Sequence, residues 1–479
     1  RYREELARGL HYGEAMREAI HKVGGALVAS AGTVICGLGM LWFSSFAKIR
    51  YTGPSIGLGL AIGLLAALTL APLMVLRLRG AVFWPFPPPH ADPTLSRDHP
   101  DLDDVPLGGF WLWVANRVVQ HPAWILLASL VVLIPLAVAG ARTQPNYSQL
   151  ADLGSNQPSV VGSKRIARYF AVGELSPTSI LIHHPGLNFL TEPGQQAISQ
   201  VTAKLLTLPD VAEVRSVTQP LGKPSSGQGP GETPNLPSAL SRLLQGNTQP
   251  LNDMLARNRY VSIDPEVAAA DQNHITRLEI AFDIDPFSLE CLQSLERVKA
   301  AMSELTTAGG PLANSTRWGF TGATASIEDL KTVTTQDERR MYWLVTLGVY
   351  AILVLLLRRP WICVYLIITV VLGYLASLGL TELVFQYVMA EHGPWGGLDW
   401  KVGFFLFVIL IAVGEDYNIF LMSRVLEEQA KHGVIEGTRR AIAHTGGIIS
   451  SCGLIMAGTF GSMLTGTLAA LRELGFALA

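Results

Sequence analysis

Seven apolar stretches, at residues 23–46, 52–76, 122–140, 341–357, 361–384, 402–422 and 446–471, are each long enough to cross a bilayer. A crossing helix needs about 20 residues, within a range of roughly 17 to 25. Seven such runs leave one broad class, a polytopic α-helical membrane protein. Composition agrees, since 49% of the 479 residues are hydrophobic and only 15% are charged. A net charge of -2 provides no basic excess, so no nucleic-acid partner is expected.

One run breaks its own pattern. Gly414-Glu415-Asp416-Tyr417-Asn418 puts two adjacent carboxylates inside the stretch that begins at Val402. At 1.5 Å per residue, Asp416 lies about 20 Å into a layer roughly 30 Å thick. An ionised carboxylate at that depth costs about 2.5–3.5 kcal/mol on the lenient insertion scale. No Lys or Arg inside another crossing stands ready to pair with it. Asp416 therefore reads as part of a proton or ion pathway.

The chain divides by composition. Residues 1–79 carry two crossings, with a tight re-entry expected at 44–51. Residues 80–120 read as a linker, Trp84-Pro85-Phe86-Pro87-Pro88-Pro89 and an acidic run, ending in a short amphipathic helix around Phe110-Trp111-Leu112-Trp113 that would lie at the membrane surface. A third crossing occupies 121–142. Residues 143–336 alternate short β-like runs (179–182, 278–284) with helix-like stretches (195–208, 292–305), an α/β domain outside the membrane. Within it, 222–237 reads as a mobile loop. Residues 337–479 return to the membrane. The short basic loops fall on one side, which makes that side cytoplasmic and the α/β domain extracytoplasmic.

Shifting the sequence by 422 residues superposes Glu14, Arg17, Ala19-Ile20, Gly24-Gly25, Arg50 and Gly53 on Glu436, Arg439, Ala441-Ile442, Gly446-Gly447, Arg472 and Gly475 without a gap. The chain thus holds parts of two homologous halves, a common transporter plan in which sites form where the halves meet. With no initiator Met and an apolar end too short to span, the sequence is expected to be a fragment. The counterpart of Asp416 is expected just upstream of Arg1.

The segment from Gly414 to Arg424, followed by Thr445-Gly446-Gly447, Ser451-Cys452-Gly453 and Ala457-Gly458-Thr459-Phe460, resembles the MMPL branch of the resistance-nodulation-division (RND) transporters. Ser30-Ala31-Gly32-Thr33, Leu68-Thr69-Leu70-Ala71-Pro72, Gly173 to Thr178, and Thr321-Gly322 with Asp329 and Asp337 add to the likeness. The resemblance implies an RND-type bundle of twelve helices with a pseudo-twofold repeat, present here from the fifth helix to the start of the twelfth. It also implies that 143–336 is the second of two porter domains and that proton influx drives export. Asp416 would be the proton carrier of this half, Tyr417 would bond across to the carboxylate of the other half, and Ser30 would supply a hydroxyl near the relay. Glu415 stands where an apolar residue is usual in the family; it either lines the same water-filled path or sits protonated against a neighbouring backbone.

Blander readings compete at each place. Asp416 could pair with a hidden base, Tyr417 could be an ordinary buried tyrosine, and Ser30 could be a small packing residue. Gly53-Pro54-Ser55-Ile56-Gly57 matches the hydrolase elbow pattern but opens a membrane helix, where Gly53, Gly57, Gly59 and Gly63 read as packing notches. His183-His184 lacks companion ligands, and no phosphate-binding loop is present. No cofactor, metal or catalytic set is expected. The expected function is a proton-driven, secondary-active exporter of lipid-like or amphipathic substrates in the bacterial cytoplasmic membrane, working with lipids, protons and the missing N-terminal half. A drug-efflux pump is a weaker alternative, because the modest outer domain leaves little room for tripartite docking. A sterol-sensing, receptor-like lipid-binding protein is the other.

Overall fold

The computed structural model describes residues 2–7, 9–78, 82–83, 109–148, 150–153, 157–170, 172–220, 222, 257–262, 271–307, 309–313, 316–389 and 396–479. The proline-rich linker at 84–104 and nearly all of the 222–237 loop lie outside the described residues. The chain forms two compact units, Arg1–Pro145 with Val333–Ala479, and Asn146–Thr332.

The first unit is helical. A short helix α1 (Tyr2–Ala7) leads into α2 (Tyr12–Gly39), a 3-10 turn (Met40–Phe43) and α3 (Ala47–Leu78). Next come α4 (Phe110–Gln120) and α5 (Pro122–Ala141). Among the described residues, seven helices are long and apolar enough to cross a membrane.

The re-entry between the first two is shorter than the sequence suggested: helix resumes at Ala47, so Lys48, Arg50 and Tyr51 sit in its opening turns. Asp337 is the reason. Its Oδ2 accepts from Ser44 Oγ (2.6 Å), Ser45 N (2.8 Å) and Phe46 N (3.0 Å), satisfying amides at the start of α3 where the helix dipole favours an anion. Replacing Asp337 with Ala should strand these donors, the buried Ser44 hydroxyl among them, at a cost of about 1–3 kcal/mol. A fall in the unfolding temperature of purified protein, with Asp337→Asn intermediate, is the expected readout.

The second unit is α6 (Pro158–Ile166), β1 (Thr178–His183), α7 (Glu192–Leu206), β2 (Val211–Arg215), β3 (Ile275–Phe282), α8 (Leu289–Thr306) and β4 (Arg317–Thr321). The sheet order is β2-β3-β1-β4 with every neighbouring pair antiparallel, the split βαβ arrangement of ferredoxin-like domains. Alternation along β1 buries Thr178, Ile180 and Ile182. Ile180 faces Leu278 across the ladder, and α7 and α8 close the core with Ile198, Val201, Leu205, Leu295 and Val298. The adjacent histidines have separate local partners: His183 Nε2 lies 3.0 Å from Asp271 Oδ1, and His184 Nε2 lies 3.1 Å from Ala313 O.

Cys291 is fully buried in the first turn of α8, where Ser288 caps the helix by accepting from Cys291 N. Burial pushes its thiol up to about 11, so little thiolate forms at pH 8. Peptide mapping after maleimide treatment at pH 8 should find Cys291 unmodified in folded protein and modified once denaturant is added.

From β4 the chain enters α9 (Ala323–Leu357), followed by α10 (Pro360–Tyr387), α11 (Trp400–His432), α12 (Val434–Gly461), a 3-10 turn (Ser462–Thr465) and α13 (Ala469–Leu478). The crossing expected at 446–471 is therefore interrupted. α12 begins twelve residues before Gly446, and the chain turns at 462–468 instead of running through. The repeat explains why. The limits of α2, its 3-10 turn and the start of α3 each recur 422 residues later in α12, its 3-10 turn and the start of α13. The packing recurs too: a Cβ at Gly53 would collide with Leu38 O and Leu41 Cβ, and one at Gly475 with Phe460 O and Met463 Cβ, the equivalent pair. Of the glycines expected as notches in α3, Gly53 is one and Gly57 makes ordinary contact, whereas nothing approaches Gly59 or Gly63.

α4 also differs from expectation. Its Trp111 is packed so closely on Gly446 that a Cβ there would overlap the indole, whereas Trp113 on the same helix is exposed. One tryptophan anchors α4 to α12, and the other remains for the interface.

Candidate functional site

Helix α11 is the central strut of the membrane unit and packs against α2, α10, α12 and α13. Successive residues on a helix are turned by about 100°, so Glu415, Asp416 and Tyr417 must address different neighbours. Each does.

Asp416 faces α2. Thr33 Oγ1 lies 3.1 Å from Asp416 Oδ1, placed to donate to it, and Ser30, one turn earlier on α2, is a second hydrogen-bond neighbour of the carboxyl. Thr33 is fully buried and its hydroxyl also lies 2.5 Å from Ser30 O, so a single hydroxyl hydrogen is shared between a backbone carbonyl and the carboxyl. That sharing lets the hydroxyl turn as the carboxyl gains or loses a proton, donating in one state and accepting in the other.

Glu415 faces α10. It is 0% exposed; Oε2 is 3.3 Å from Asn418 Nδ2, and Oε1 is buried without a hydrogen-bond partner among the described residues. Cys363 of α10 is within its electrostatic reach. Tyr417 faces α12, where its hydroxyl lies 2.6 Å from Met456 Sδ. The three side chains thus do not form one cluster within this chain. Asp416 and Ser30 are brought together, and Glu415 and Tyr417 diverge toward different helices.

Thr33 is the residue that sequence reasoning passed over. Its signal was its position three residues after Ser30, which puts both hydroxyls on one face of α2. Small polar residues in membrane helices so often serve packing that Ser30 alone drew attention. Thr33→Val keeps the shape and removes the hydroxyl, so it should slow any process that requires proton exchange at Asp416, whereas Thr33→Ser should restore it. Proton uptake into vesicles holding either variant of the intact protein is the comparison.

Below the site, Glu428 is nearly buried and paired with Arg424 Nη2 at 2.7 Å, and Glu436 at the start of α12 binds Arg439 and Arg440. These acids have counter-charges, whereas neither Glu415 nor Asp416 forms an ion pair among the described residues. No group of three or more His, Cys, Asp or Glu suited to a metal ion occurs among the described residues.

The model of the MMPL family matches residues 1–125 and 151–479. The sequence is 28% identical to the membrane protein ActII-3 of Streptomyces coelicolor and 26% identical to the apo-petrobactin exporter of Bacillus anthracis; each alignment covers 100% of this chain and 56% of the relative. It is 34% identical to the sulfolipid-1 exporter MmpL8 of Mycobacterium tuberculosis over 44% of this chain and 19% of that protein. The chain spans about half the length of the curated relatives that it matches end to end.

Proposed function

The chain belongs to the MMPL family, and from that premise we propose that it forms part of a secondary-active exporter in which Asp416 carries protons inward while an amphipathic or lipid-like substrate moves outward. The observation that carries this reading is the Asp416–Thr33 contact: an acid in mid-helix, half-buried against a hydroxyl of a neighbouring helix, with no cation paired to it among the described residues. Such an acid changes its packing requirements each time it changes charge. Coupling between α11 and α2 is the mechanical consequence.

Ser30 and Thr33 serve the Asp416 proton, and Tyr417 and Glu415 extend the relay toward α12 and α10. Two relatives, an apo-petrobactin exporter and a sulfolipid-1 exporter, favour an amphiphile as cargo over an ion alone. The short basic loops support a reading in which residues 143–336 face the outer side of the cytoplasmic membrane. Collapsing the proton gradient with a protonophore, in cells whose ATP is maintained, should stop export by the intact protein within the time the gradient is lost. Export that continues unchanged would overturn the proton reading.

A further inference from the structure

Where α5 ends and α11 begins, helices α5, α9, α10 and α11 border a half-open cavity of about 460 Å³. Its wall includes Glu338 and Tyr342 from α9, Tyr374 from α10, and Trp400, Gly403 and Phe407 from α11. The spacing explains the convergence, since 338 and 342 lie one turn apart on α9, and 400, 403 and 407 form a stripe along α11.

The rings are in mutual contact. Tyr342 and Phe407 have centroids 4.2 Å apart, and Tyr374 meets Phe407 edge-on at 5.2 Å. Tyr342 shares a hydrogen bond with the Tyr374 hydroxyl, on which Glu338 also acts electrostatically. Asp399, the other acid on the wall, is held by Lys401 Nζ at 3.0 Å. Glu338 makes no hydrogen bond or ion pair with another described residue, and no Lys, Arg or His lines the cavity.

An acid without a counter-ion, set among aromatic faces in a mostly apolar pocket, has the chemistry that recognises an organic cation. Ring quadrupoles attract a cation most strongly when water is excluded, and an alkylammonium gives up its water more readily than a metal ion does. The cavity falls within the usual 300–1,000 Å³ of small-ligand sites, enough for an ammonium headgroup with the start of its chain. We propose that this cavity binds the ammonium group of an amphiphile, with Glu338 as counter-charge and Tyr342, Tyr374, Trp400 and Phe407 as its π surfaces. This is a statement about binding, and it holds whether or not protons power transport.

The test uses the intact protein in maltoside detergent without any gradient, so its failure is separable from failure of the proton reading. Binding of decanoylcholine is compared by equilibrium dialysis with binding of 3,3-dimethylbutyl decanoate, its uncharged carbon isostere. Wild type should prefer the cation at least about tenfold. Glu338→Gln should bring that preference close to unity without lowering the unfolding temperature, and Glu338→Asp should keep most of it. Equal binding of the two probes by wild type, an arm that needs no variant, would overturn the proposal, as would an unchanged preference in Glu338→Gln. Native mass spectrometry then distinguishes the source. An ethanolamine phospholipid retained by wild type and lost from Glu338→Gln assigns the site to bilayer lipid, whereas competition by decanoylcholine against export, with no such lipid retained, assigns it to cargo.

Discussion

Replacing Asp416 by Asn is expected to lower any proton-coupled export by the intact protein to the level of cells lacking it. The amide has the shape of the carboxyl and can still accept from Thr33 Oγ1, now 3.1 Å from Asp416 Oδ1, so the α2–α11 contact survives. What it lacks is a proton that can be taken up and released at physiological pH. Folding should therefore be unaffected, with wild-type yield, elution volume and unfolding temperature, while substrate efflux and substrate-coupled proton uptake are both lost. Undiminished export by the Asn variant would remove Asp416 from the mechanism. Glu415→Gln is expected to reduce export without abolishing it, because Glu415 faces α10 and its hydrogen-bond partner is Asn418 of its own helix.

Replacing Gly379 with Leu should prevent the membrane unit from folding. A Cβ at Gly379 would overlap Leu136 O and stand 2.6 Å from Gly140 N, and one at Gly140 would overlap Leu375 O. The two backbones of α5 and α10 are therefore in direct contact, and neither can turn a side chain aside to make room. In lipid, helix association depends on this close packing, because the tails are as apolar as the side chains. Ordinary overpacking costs about 1–3 kcal/mol where side chains can shift; here the helices must separate, so the cost is greater. Gly373 on the same helix is the control, since nothing lies within 4 Å of its would-be Cβ. Gly373→Ala should fold as wild type or slightly better, by up to about 1 kcal/mol from helix propensity. Fluorescence-detected elution of the tagged protein gives the contrast: loss of the monodisperse peak for Gly379→Leu and its retention for Gly373→Ala. Equal behaviour of the two would show that the α5–α10 contact does not hold the unit together.

Sequence alone determined the number and approximate placement of the crossing helices, the α/β character of 143–336, the 422-residue repeat and the suspicion that falls on Asp416. Those features are legible because bilayer thickness sets a minimum length for an apolar run, a strand shows a period of two, and a charge inside such a run is costly. Even the altered limits at 462–469 were implicit in the repeat, since α12 and its turn copy α2 and its turn.

Tertiary structure alone decided which neighbour each residue meets. Thr33 and Asp416 are 383 positions apart in the chain, and no local pattern couples them. The divergence of Glu415, Asp416 and Tyr417 toward three helices depends on where α10, α2 and α12 pack around α11. The same holds for Asp337, which in sequence only adds to the family likeness and proves to hold the start of α3. Hydropathy is summed along the chain and survives any packing, whereas a hydrogen bond or a glycine contact exists only between surfaces that folding brings together.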